Sequence, residues 1–303
     1  MLAGIAICLV VLFSYGVTGH GLVTRIIGFN GVTMPGLTVI DGVPRDCPSS
    51  ACGAHKDTAI IRDEEVRTSK ASPLGRTSDT GPVDPSVIIE KFMEMPKKQR
   101  SHPRDFVQKR LTRITGRQIL NDAASVFTTA GGQMLNGAQD IADMTPAGGA
   151  IKNGQSAVDH VLSALSGTTP GAITRKGTKE NGVSLYRGTG QAHGLPTASS
   201  EGVITLIYHQ VNQDGAGPLI ADIDSYSGGT DPDAFKSAEV VRNIAGVEGF
   251  STSSTMDYKV EIQVPSGTKC SGSVGTARNV CIVRVRNTAI SGPFGGSAAF
   301  TQE

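Results

Sequence analysis

His20 stands between Gly19 and Gly21, where a short apolar leader gives way to the rest of the chain. Residues 1–19 hold no Asp, Glu, Lys or Arg. Ile5 to Phe13 is an apolar run, and Val17-Thr18-Gly19 ends in small residues of the kind signal peptidase accepts. Cleavage after Gly19 makes His20 the first residue of the processed chain. An amino-terminal histidine offers a metal two nitrogens, its α-amine and one imidazole nitrogen. A second histidine in the same plane supplies a third, which is the tetragonal set that copper(II) favours.

Six histidines occur: His20, His55, His102, His160, His193 and His209. His102 and His160 lie in a stretch of helical periodicity and read as surface or helix-end residues. His55 follows Cys52-Gly53, and His193 sits beside a glycine in a loop. His209 closes the apolar run from Val203, just before the polar, glycine-rich turn Gln210 to Pro218. A strand-end histidine beside such a turn is well placed for a site at the rim of a β-sandwich. His209 is therefore the first choice of second ligand, ahead of His193 and His55, with no second ligand as the remaining alternative.

The elements that must position these residues are mainly β. From His20 to Ile40 the chain is apolar with frequent glycine, a first strand and a turn-rich hairpin. Residues 41–85 read as a long surface loop pinned by a small disulfide. From Ser86 to about Ser166 apolar residues recur at helical spacing, with Asp84-Pro85 as a helix start. That segment carries a basic run, Lys97 to Arg117, read as a solvated helix face. A patch for an acidic polymer or a processing site at Lys109-Arg110 are the alternatives.

The β pattern returns at Val203. Leu219 to Ile223 reads as its partner across the turn at Asp214-Gly215. Tyr258, Val260, Ile262 and Val264 alternate with polar residues as a half-buried strand. Cys281, Val283 and Val285 alternate likewise, and Ala298 to Gln302 is a short final strand. The fold expected is mainly β, an immunoglobulin-like β-sandwich with a helical insertion. Its domains are a signal peptide over 1–19 and one domain over 20–303, interrupted by helices at about 84–166.

Once Cys8 leaves with the leader, Cys47, Cys52, Cys270 and Cys281 remain. An even count in a secreted chain reads as two disulfides, with Cys47–Cys52 and Cys270–Cys281 the local choice among three pairings. The second bridge would tie the strand at Tyr258 to that at Cys281. A net charge of +1 gives no global reason to expect nucleic acid, and no apolar stretch after the leader is long enough to span a membrane. There is no Gly-x-Ser-x-Gly elbow, His-Glu-x-x-His or phosphate loop. Asp222, Asp224, Asp231 and Asp233 read as solvated turn acids, and a glycosidase built on such acid pairs is a distant third reading.

Several segments carry a family resemblance. They are His20-Gly21, Pro44-Arg45-Asp46-Cys47-Pro48 with Cys52-Gly53, Lys70 to Arg76, and Gly194 to Ala198. The string Tyr208-His209-Gln210-Val211-Asn212-Gln213-Asp214-Gly215-Ala216-Gly217-Pro218 follows, then Ser227 to Pro232 and Gly292 to Ser297. Over residues 20–80 and 190–303 the chain resembles the appressorium-specific secreted proteins of fungi such as powdery mildew and rice blast. That resemblance implies secretion and a role in virulence.

The amino-terminal histidine is also similar to that of lytic polysaccharide monooxygenases, copper enzymes on a β-sandwich. By that likeness His20 and His209 bind copper, with Phe300 as axial residue and Gln210 or Asn212 supplying hydrogen bonds behind the ligands. Two functions then compete: a secreted infection protein whose histidines bind copper without turnover or bind nothing, and a copper-dependent oxidase of polysaccharide. Its partner would be a cell-wall polysaccharide or the host surface.

Overall fold

The computed structural model describes residues 20–94 and 168–302. The expected helices beyond Glu94, the basic run, Lys109-Arg110, His102 and His160 lie outside the described residues. The leader does too.

β1 (Gly21–Ile27) begins directly after His20 and folds back on β2 (Thr33–Pro35), as the first hairpin should. Three two-residue strands follow, β3 (Ala59–Ile60), β4 (Arg76–Thr77) and β5 (Gly81–Pro82). The helix α1 (Asp63–Arg67) lies between β3 and β4, and α2 (Pro85–Met93) follows β5. After residue 168 come β6 (Ala172–Ile173), α3 (Gly182–Leu185) and α4 (Thr189–His193). Seven longer elements complete the fold: β7 (Val203–Gln210), β8 (Ile220–Asp224), β9 (Phe235–Arg242), β10 (Met256–Gln263), β11 (Gly272–Val274), β12 (Ala277–Arg286) and β13 (Phe294–Phe300).

The architecture is mainly β, as the alternation indicates. Hydrogen bonds run without a break through β2-β1-β7-β10-β9-β8-β12-β13-β3-β4-β5, so the strands form one curled sheet. β9 makes the corner. Its first half, from Phe235 to Ala238, pairs with β8, and its second half, from Glu239 to Arg242, pairs with β10 across a register shift. The curl brings β1 over β13, where a side chain at Gly296 would meet the main chain of Val23 at 2.7 Å. The interior so enclosed holds Val23, Leu206, Tyr208, Val260, Ile262, Val283 and Phe300.

Local rules account for the pieces. The Asp84 side chain accepts from Ser86 N at the start of α2, with Pro85 in its first turn, and Ile88, Ile89 and Phe92 form its buried face. Tyr258, Val260 and Ile262 are buried while the residues between them are partly exposed.

Other expectations are corrected. β8 does not pair with β7, whose two edges are taken by β1 and β10. It lies between β9 and β12 instead. β12 is buried on both faces, Ile282 and Arg284 included, because it is central in its half of the sheet. Both disulfides form as paired above, but Cys270–Cys281 closes the β11–β12 hairpin and not a β10–β12 one. The final strand starts earlier, at Phe294.

Residues 41–85 are more than surface loop, since Ala54, Asp57, Ala59, Ile61 and Leu74 are fully buried. Asp224 is buried as well, accepting from the nitrogens of Tyr226, Ser227 and Gly229 and from Ser227 Oγ, while Asp222 pairs with Arg284. Those bonds make it the anchor of a turn.

Candidate metal centre

His20 occupies the rim where β1 begins. Its carbonyl accepts from Val211 N and its main-chain nitrogen donates to Asn212 Oδ1 at 2.7 Å. Behind it the 3-10 turn Gln213–Gly215 presses in so closely that a side chain at Gly215 would meet His20 O at 2.0 Å. A side chain at Gly21 would meet Tyr208 Oη at the same distance, and that hydroxyl donates to Gly215 O. Burial pushes the Tyr208 phenol well up, so it stays a neutral donor. Glycine at positions 21 and 215 lets strand and turn close on one another.

The His20 ring lies beside those of His55, at 4.9 Å between centroids, and Phe294, at 5.2 Å. His55 arrives on the short segment between the Cys47–Cys52 bridge and β3. Two residues on, Asp57 is fully buried and gripped by Arg45 through two bonds of 2.9 and 2.6 Å. Arg45 also reaches Glu180, and Asp57 accepts from Ile40 N. Desolvation works against the Arg45 charge, but Asp57 and Glu180 outweigh it and raise its pKa further. The segment carrying His55 is thus clamped at both ends. Phe294 comes from the first position of β13, opposite Ile60 of β3.

His55 Nδ1 is buried without a hydrogen-bond partner. Buried polar nitrogens are nearly always satisfied, so an unpaired ring nitrogen beside a second imidazole fits a site that accepts a cation. The donor set fits copper(II) in kind: two imidazoles, one terminal amine once the leader is removed, and an aromatic ring close by. No group of three or more His, Cys, Asp or Glu side chains suited to a metal occurs among the described residues. The donors gathered here are two histidine side chains and a main-chain nitrogen.

His209 is placed differently. It lies opposite Leu22 of β1 and Asp257 of β10, and its Nδ1 meets Asp257 Oδ1 at 2.8 Å. An ionised carboxylate can only accept, so Nδ1 carries the hydrogen of this bond. The Nε2 of the same ring is fully buried without a partner. Burial pushes the Asp257 carboxyl up, but the bond and charge of His209, the bond from Thr174 and the charge of Arg25 outweigh it and hold it below the usual range.

Phe300 is fully buried in the core opposite Cys281, at the far end of β13 from Phe294 and about 20 Å along it at the rise of a strand. His193 is exposed at the end of α4. Gln210 donates to Asn212 O, Ser251 Oγ and Ser253 O, steadying the segment whose Asn212 holds His20. The structure therefore gathers His20, His55, Phe294 and Asn212, and it engages His209 with Asp257. Phe294 was the residue sequence reasoning missed. Its signal was the quoted Gly292 to Ser297 segment itself.

Comparison with known proteins bears on the same stretch. A family model described as Egh16-like virulence factor matches residues 18–295. The chain is 46% identical over 288 residues to the appressoria-specific virulence factor GAS2 of Pyricularia oryzae, covering 94% of this chain and 84% of that protein. It is 34% identical over 107 residues to the appressoria-specific virulence factor GAS1 of the same fungus, covering 35% of this chain and 41% of that protein. No solved structure matches.

Proposed function

We propose that this chain, which belongs to the Egh16-like virulence factor family, is exported, trimmed to His20 and then holds one copper ion at its new amino terminus. Its role is in host infection at the appressorium, as the names of its relatives describe for them. The apolar leader and the two disulfides support export. Among the described residues, no helix is long and apolar enough to cross a membrane.

The observation that carries the copper reading is the 4.9 Å approach of the His20 and His55 rings, with Phe294 beside them and His55 Nδ1 unpaired. On this reading His20 contributes its amine and ring, and His55 the third nitrogen. Asn212 Oδ1, which already accepts from the His20 nitrogen, orients the amine. Gly215 and Tyr208 hold the strand start so that the amine has little freedom left to lose. His55 thus takes the place first given to His209, and Phe294 that given to Phe300. Bound copper supplies one-electron oxidative chemistry.

The test is a copper(II) titration of the chain beginning at His20, beside the His55→Ala variant. Tight one-to-one binding that is lost in the variant, with the melting temperature of the metal-free protein kept, is the expected result. Equal binding by both proteins would remove His55 from the site.

A further inference from the structure

Three loops meet at the His20 rim. In the turn from Asn212 to Pro218, Ala216 N donates to Gly249 O and Gly217 O accepts from Gly249 N, while Ser251 N donates to Gln213 O. Asn287 Nδ2 donates to the carbonyls of Asp214 and Ala216, and Ser291 Oγ donates to Asp214 Oδ2. The second and third loops also touch directly, since a side chain at Gly249 would lie 2.6 Å from Ala289 N. The three loops are one hydrogen-bonded body beside His20.

The outer positions of that body are apolar. Val247 is 76% exposed, Phe250 48% and Ile290 95%. Large apolar side chains at neighbouring loop tips cost solubility and mark contact surfaces. Two exposed hydroxyl residues, Thr252 and Thr288, lie within two positions of them in the chain, while the Ser251 and Ser291 hydroxyls are bonded within the loops, and Glu248 is the charged residue at the tips. None of the three loops carries Lys or Arg. The nearby Arg62 is committed to Ser291 O, Gly292 O and Glu65.

We infer that Val247, Phe250 and Ile290 form a docking surface for an uncharged polysaccharide chain, seated next to His20. A pyranose ring has an apolar C–H face and a rim of hydroxyls. The first matches Phe250 and its aliphatic neighbours, and the second matches Thr252 and Thr288. Without basic residues the surface has no means of drawing in an anionic lipid or a nucleic acid. The inference gives the copper reading its substrate class and depends on that reading only for what happens after docking.

The experiment uses the metal-stripped chain beginning at His20, so docking is read apart from copper. Retention is measured on insoluble β-1,4-glucan, β-1,3-glucan and β-1,4-linked N-acetylglucosamine polymer, and on neutral phosphatidylcholine vesicles. Variants are Phe250→Ala, Ile290→Ser and their combination. Phe29→Ala serves as control, since Phe29 is also an exposed aromatic but lies beyond the opposite end of β1. Expected is retention on at least one polysaccharide, weakened about tenfold or more by the double variant and unchanged by Phe29→Ala. Copper affinity and melting temperature stay as in the parent. Retention on no polysaccharide, retention indifferent to the double variant, or vesicle binding in its place would each overturn the inference. Loss of copper binding alone would count against the metal reading and leave this one standing.

Discussion

The main-chain nitrogen of His20 donates to Asn212 Oδ1, and the carbonyl of the same residue accepts from the nitrogen of Val211, the residue before Asn212. Both main-chain polar groups of His20 are thereby fixed to one short segment after β7. The proposed cleavage before His20 would turn a hydrogen-bonded peptide nitrogen into an amine held at a known place. Asn212→Ala should lower copper(II) affinity about tenfold or more, the size of effect seen when a group orienting a ligand is lost. Calorimetric titration of the two proteins measures it. Unchanged affinity would show that Asn212 only closes the turn.

His55 and His209 should separate by readout. His55→Ala costs metal affinity, about 100-fold or more, and little stability, since its Nδ1 has no hydrogen bond to lose. His209→Ala removes the partner of Asp257 inside the sheet, and should cost about 1–3 kcal/mol of folding free energy while copper affinity moves only a few-fold. Thermal melts and metal titrations of both variants give the four numbers. The opposite pattern would return His209 to the metal.

Gly215→Ala tests the packing behind the site. A methyl group there meets His20 O at 2.0 Å, against main chain that cannot step aside. The expected cost is about 1–3 kcal/mol of stability, together with weaker copper binding as the start of β1 is pushed outward. A variant as stable and as tight as the parent would mean that the turn is looser than its contacts indicate.

Acid should unfold the protein partly through Asp257. Its folded pKa lies below the ordinary carboxylate value of about 3.9, so the stability it contributes is fully present above that value. That contribution is lost as pH falls below about 4 through the folded pKa. Asp257→Asn should therefore flatten the fall in melting temperature below pH 4. A parallel fall in both proteins would show that other carboxylates dominate.

Much of the fold was legible because alternation has a physical cause. Tyr258, Val260 and Ile262 point one way because the side chains of a strand must, and Asp84-Pro85 starts a helix because it can satisfy the first free N–H groups. Strand partners were less legible. Leu219 to Ile223 is the nearest strand to β7 across a short turn, yet β1 and β10 take both edges of β7 from far along the chain. The site divides in the same way. His20 and Asn212 could be read from local sequence. His55 lies on a segment with no periodicity, and only the Arg45–Asp57 clamp and the approach of β13 bring it to His20. Phe300 was chosen as an aromatic in a last strand, but the curl of the sheet puts the other end of that strand, Phe294, at the rim.

The central claim is that a freed amine at residue 20 completes the copper site, and one comparison tests it most directly. The chain is prepared beginning at His20 and again with one alanine before it, and each is titrated with copper(II) while the EPR spectrum is recorded. The account predicts tight binding with a tetragonal, three-nitrogen signature only for the first, weakening as pH falls because metal binding releases protons from the ligands. Equal binding by both forms, with the same spectrum, would contradict it.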